Sequence, residues 1–136
     1  MADSTTNLYH MTIREAAGLL KNRELSPVEL TRAFLDRIDS IDDKLNSYLV
    51  VLNDQALSAA RVAESEIIAG NYKGRLHGIP FALKDLYDTA GITTTSGSKV
   101  DIDRVPTEDA TTTARLKAAG GILLGKLVMH EFALGG

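Results

Sequence analysis

Apolar positions recur every three to four residues through the first half of the chain and gather into short unbroken runs in the second. Ile13, Ala16, Ala17 and Leu20 fall on one helical face behind Thr12, which predicts a capped helix ending near residue 22. Ser26-Pro27-Val28-Glu29 reads as a second helix start. The serine can cap, the proline suits the first turn, and the glutamate completes a capping box. Leu30, Phe34, Ile38, Ile41 and Leu45 continue that helix as one apolar stripe. Residues 47–52, rich in Val and Leu, predict a strand. A helix then opens at Asn53 or Asp54 and runs to residue 69, with Ala56, Ala60, Ala63 and Ile67 inward and Gly70 as its stop. A stripe made mostly of alanine implies a closely packed neighbour.

A loop rich in Gly and charge, 71–78, feeds a strand over 79–86. Residues 88–106 read as mostly irregular, with a Thr-rich stretch at 93–95. Asp109 is the expected cap of a helix through residue 119, ended by Gly120-Gly121, and 122–127 is the next strand. Strand, helix and strand across 79–127 suggest a βαβ unit with parallel strands and a right-handed crossover. The fold class is therefore α/β, N-terminal helices followed by a βαβ unit. Residues 1–10 read as a loose tail, and 11–136 contain no repeat, linker or interior boundary, so they read as one structural unit.

Composition narrows the function classes. Fifteen Lys and Arg against eighteen Asp and Glu leave a formal charge of −3, which argues against broad binding to nucleic acid or an anionic membrane. Without cysteine there is no disulfide framework, thiol nucleophile or thiolate metal site. The polar N-terminus lacks the pattern of a signal peptide, and no apolar run approaches a membrane span, so a cytoplasmic protein is the default.

The chemistry centres on Gly78-Ile79-Pro80-Phe81-Ala82-Leu83-Lys84-Asp85. A lysine inside an apolar run reads as buried, and burial is costly unless the amine is paired or loses its proton. Lys84 is therefore a candidate catalytic base. Alternation places Ile79, Phe81 and Leu83 on one face and Pro80, Ala82 and Lys84 on the other, lined by small groups that leave room for a substrate. Lys84 lies near the carboxyl end of its strand, where ligands bind in open α/β sheets. The plain alternative is a lysine emerging at the strand end and pairing with Asp85 or a loop carboxylate. His10, His77 and His130 have no metal-ligand spacing. His77 reads as a loop residue packing before the strand. Asp85 and Asp88 could bind a cation, although capping and turns are their commoner use. Ser96 and Ser98 read as parts of a solvated turn, with no base in local reach.

With these residues in place, the chain resembles the amidase signature family. The likeness runs through Gly74-Arg75-Leu76-His77-Gly78-Ile79-Pro80-Phe81-Ala82-Leu83-Lys84-Asp85 and Gly91-Ile92-Thr93-Thr94-Thr95-Ser96-Gly97-Ser98-Lys99. It continues from Asp109-Ala110 through Arg115-Leu116-Lys117-Ala118-Ala119-Gly120-Gly121 and Leu124-Gly125-Lys126 to Met129-His130-Glu131-Phe132-Ala133-Leu134-Gly135. The resemblance implies a mixed-sheet amidase signature fold. It also implies a hydrolase cleaving amides, and in some members esters or carbamates, by a Ser–cis-Ser–Lys triad. Lys84 matches the family's lysine, which exchanges a proton with the bridging serine. An acyl-enzyme then forms against a backbone oxyanion hole, and water resolves it. Leu134 and Gly135 match the loop that approaches the substrate. No cofactor is implied.

The Gly/Ser-rich signature that carries both serines falls after the last residue here, and Ser96 and Ser98 do not match it. The expectation is thus an N-terminal portion of an amidase, inactive alone, acting in its complete form on a small-molecule amide, ester or carbamate. A homo-oligomer is compatible with an uncovered sheet edge. Two other readings compete. One is the amidase subunit of a tRNA-dependent amidotransferase, which would add ammonia channelling and a partner subunit. His130 and the preceding Lys126-Leu127-Val128 depart from that subunit's form and favour a stand-alone amidase. The other is a truncated, non-catalytic assembly module.

Overall fold

The computed structural model describes residues 8–135. Helix α1 (Ile13–Asn22) starts where the Thr12 side chain accepts from the Glu15 N–H and the Glu15 carboxylate accepts from the Thr12 N–H at 2.8 Å. The capping box expected at the second helix is therefore found at the first. Helix α2 (Pro27–Leu45) is still capped by Ser26, whose Oγ accepts from the Val28 and Glu29 N–H groups. That hydroxyl donates its own proton to Glu64 at 2.5 Å, a cross-link to α3 (Asn53–Ile68) instead of a local box. The carboxylate of Asp42, in the last turn of α2, accepts from the Ser47 and Tyr48 N–H groups, turning the chain into β1 (Tyr48–Val51).

Strand β2 (Pro80–Lys84) follows, shorter than the 79–86 expected. Helix α4 (Thr111–Ala118) and strand β3 (Ile122–Leu127) complete the order. Asp109 does not cap α4. Its carboxylate accepts from the Ala90 N–H and from Lys117, and no side chain caps the helix.

The sheet order is β1-β3-β2, with β3 central, β2 parallel to it and β1 antiparallel. The parallel pair is the one expected of a βαβ unit. Register slips on both sides of β3. Its partner sequence jumps from Phe81↔Leu123 to Ala82↔Gly125, which leaves Leu124 as the extra residue of a bulge.

Two apolar clusters hold the helices to this sheet. Leu35, Ala56, Ala60, Ile122 and Leu124 form one, between α2, α3 and β3. Ala60 has no exposed surface, the close approach that the alanine stripe implied. Leu20, Leu30, Ile67 and Ile79 belong to the other. Leu20 and Leu30 are buried, each contributing roughly 1.5–3 kcal/mol. Leu8 lies in this second core, so the chain is anchored before the residue 10 boundary drawn from sequence, while residues 1–7 of the expected tail lie outside the described residues. Ile13 and Leu45, expected on inward faces, are exposed at the helix ends.

Candidate active site

Lys84 is the last residue of β2, an edge strand whose other side pairs with no strand among the described residues. Of the face expected to point inward, Ile79 and Leu83 are buried, whereas Phe81 is half-buried like its neighbours Pro80 and Ala82. The Lys84 side chain is exposed and has no ion pair with any described residue. The expectation of a buried lysine at this position is thus corrected. An edge strand offers its last residue to solvent, and nothing in the described structure covers it.

The expected pairing of Lys84 with Asp85 is also replaced. Asp85, 1% exposed, faces Lys126 of β3, which is wholly buried. Lys126 Nζ lies 3.0 Å from Asp85 Oδ1 and donates to Thr94 Oγ1 at 2.7 Å. Asp85 Oδ2 accepts from the Thr95 N–H at 2.8 Å and from the Thr95 hydroxyl at 2.6 Å. Asp85 Oδ1 makes no directed hydrogen bond, so its interaction with Lys126 is an ion contact. These partners meet the requirement that a buried charge be paired. Lys126 is the residue that sequence reasoning missed, although it carries the signal used for Lys84, a lysine inside an apolar run.

The backbone continues the network. The Asp85 N–H donates to the Leu127 carbonyl, the Ser96 N–H donates to the Asp85 carbonyl, and the Phe132 N–H donates to the Ser96 carbonyl at 2.8 Å. Ser98 is buried instead of lying in a solvated turn. It donates to Glu131 Oε1 at 2.6 Å and accepts from the Val100 N–H. Segment 94–98 therefore bonds on one side to the end of β2 and on the other to the turn Glu131–Ala133. Phe132 and Ala133 adopt left-handed backbone there, at φ 48° and 59°. Each costs of order 1–2 kcal/mol, a strain that the neighbouring bonds must hold. Leu134 and Gly135 follow this turn, and Leu134 is 79% exposed.

The other candidates have structural roles. Asp88 takes two 2.7 Å bonds from Arg104, which hold its carboxyl below the ordinary carboxylate range against the opposing effect of burial. His77 is wholly buried, its Nδ1 accepting from the Lys73 N–H and its Nε2 2.9 Å from Glu66. Since Nδ1 accepts, the ring proton sits on Nε2 and is donated to the carboxylate. Among the described residues, no three His, Cys, Asp or Glu side chains gather into a metal site. A groove of about 380 Å³, lined by Glu66, Lys73, Thr89, Lys117 and Leu123 among others, does not include Lys84, Leu134 or Gly135.

Comparison with known proteins completes the picture. A family model described as Amidase matches residues 29–136. A glutamyl-tRNA(Gln) amidotransferase subunit from Geobacter metallireducens is 48% identical over 94% of this chain and 26% of its own length. A putative amidase, AmiD, of Mycobacterium bovis is 42% identical over 90% of this chain and 26% of its own. The chain thus spans about a quarter of the length of the curated relatives it matches. The native peptide amidase of Stenotrophomonas maltophilia superposes with a TM-score of 0.84 at 32% identity, over 90% of this chain and 25% of that one. A fatty acid amide hydrolase reaches a TM-score of 0.90 at 24% identity, a likeness of fold alone.

Proposed function

The chain belongs to the amidase family, whose members hydrolyse C–N bonds, and from that premise we propose that it is the N-terminal portion of a serine hydrolase of small amides in which Lys84 is the proton-transfer residue. From Leu8 onward the chain is the first part of one amidase domain, and the two serines of the triad belong to the remainder of that domain. The observation that carries this reading is the division of labour between two lysines. Lys126 neutralises the only carboxylate adjacent in sequence to Lys84, and Lys84 stands at the carboxyl end of an edge strand without a described counter-ion. An amine so placed is available to a serine brought in against the open edge of β2, as general base catalysis requires. Leu134 and Gly135 form part of the substrate wall, tied to Lys84 through segment 94–98. Esters and carbamates are further substrates of the same acyl-transfer chemistry.

Alone, these 136 residues are expected to be inactive, because a base without its nucleophile supplies no acyl transfer. Among the described residues no helix is long and apolar enough to cross a membrane, and the reading places the protein in the cytoplasm. The decisive test compares aryl-amide hydrolysis by the complete protein with that of its Lys84→Ala variant. Turnover is expected to be lost while the variant keeps the wild-type circular dichroism spectrum. Near-normal hydrolysis by the variant would sink the assignment.

A second reading follows from the 48% identity to an amidotransferase subunit. The complete protein would then act within a glutamyl-tRNA(Gln) amidotransferase. Amide formation on glutamyl-tRNA(Gln), dependent on a partner subunit, would favour it over a stand-alone amidase.

A further inference from the structure

Among the described residues Lys126 is the largest of the fully buried side chains, and it sits in the middle strand of the sheet. A buried ion pair adds little net stability over an apolar pair of similar volume, so stability alone does not account for placing charges there. What the pair does add is geometry, and all of that geometry bears on the residue after Lys84. Asp85 is held by the Leu127 carbonyl through its N–H, by the Ser96 N–H through its carbonyl, by the N–H and hydroxyl of Thr95 at one carboxylate oxygen, and by Lys126 at the other. Lys126 is itself directed by Thr94. A residue held at five points restrains the tilt of the peptide that precedes it. The Cα–Cβ direction of Lys84 is set by that peptide, whereas its exposed side chain has no anchor of its own among the described residues.

We propose that Lys126 and Asp85 are positioning residues for the Lys84 amine, acting through Thr95 to hold the end of β2 against segment 94–98. Because that segment also binds the turn before Leu134, through Phe132 and Ser98, the same clamp sets the base against the substrate wall. The inference rests on the reading of Lys84 as the proton-transfer residue. Misplacing a catalytic group by an ångström costs on the order of a hundredfold in rate.

The test uses the complete amidase with three variants, Lys126→Met, Thr95→Val and Lys84→Ala, and an aryl-amide substrate. Active sites are counted by the acyl-enzyme burst with an activated ester, so that loss of folded protein does not register as loss of kcat. The expected result is a fall in kcat per active site of about 10- to 100-fold in Lys126→Met and a smaller fall in Thr95→Val, with KM within about twofold of wild type. If Lys126→Met does not fold, Thr95→Val decides, since it removes one hydroxyl and keeps both charges. Wild-type kcat per site in the folded variants, alongside an inactive Lys84→Ala, overturns the positioning role and leaves the base assignment standing. A rise in KM with unchanged kcat also overturns it. An active Lys84→Ala removes the base assignment and this inference with it.

Discussion

His77 lies against Gly120 so closely that a Cβ on the glycine would overlap the imidazole Cδ2. The ring cannot yield, because the Lys73 N–H and Glu66 hold its two nitrogens. The Gly120 carbonyl in turn accepts from the Gly78 N–H at 2.9 Å, which joins the end of α4 to the entry of β2. Gly120 also needs φ +83°, a conformation that costs a side chain about 1–2 kcal/mol. Gly120→Ala is therefore expected to lose about 2–4 kcal/mol, combining strain with the clash. Urea unfolding of the variant reads this directly, and a loss below about 1 kcal/mol would show that the ring relaxes.

Gly125 depends on space instead of dihedral freedom. A Cβ there would collide with the Val50 carbonyl oxygen and crowd the Tyr48 ring, in the register where Val51 pairs with Gly125. Gly125→Ala is expected to part β1 from β3 and cost upwards of about 4 kcal/mol. Gly18→Ala supplies the contrast. That glycine sits in α1 with nothing within 4 Å of where a Cβ would stand, and the alanine should stabilise by roughly 0.5–1 kcal/mol. Equal midpoints for the two variants would contradict the packing described.

Acid should weaken the fold through two surface carboxylates. The Lys73 hydrogen bond lowers the Glu66 carboxyl, with His77 assisting against the effect of burial, and Arg104 lowers that of Asp88. A depressed folded value means that the unfolded chain binds the proton more readily. Their stabilisation is complete above the ordinary carboxylate values, about pH 4, and is lost as pH falls through the lower folded values. Denaturation midpoints of wild type and Asp88→Asn should differ near neutral pH and converge in strong acid. A gap that stays constant across this range would rule out the linkage.

Much of the fold could be read directly from local pattern. Thr12, Ser26 and the alanine stripe of α3 announce their helices because caps and 3.6-residue periodicity are properties of neighbouring residues. The run 122–127 is a strand with the bounds expected. Contacts between distant segments were not legible. Asp109 serves the Ala90 N–H and the Lys117 amine instead of the first amides of its helix, and Ser26 spends its proton on Glu64, since a polar side chain chooses among partners that only folding brings near.

The two lysines show where that boundary falls. Lys84 and Lys126 each end or interrupt an apolar run, and no local property separates them. Sequence established that both runs are strands, and the motifs around them established the family. Sheet order decided the rest. Strand β3 is flanked on both sides, so Lys126 is buried and must be paired, whereas among the described residues β2 is an edge and Lys84 at its end is left to solvent. Burial is a property of neighbours across the sheet, and those neighbours are assigned only when the strands assemble.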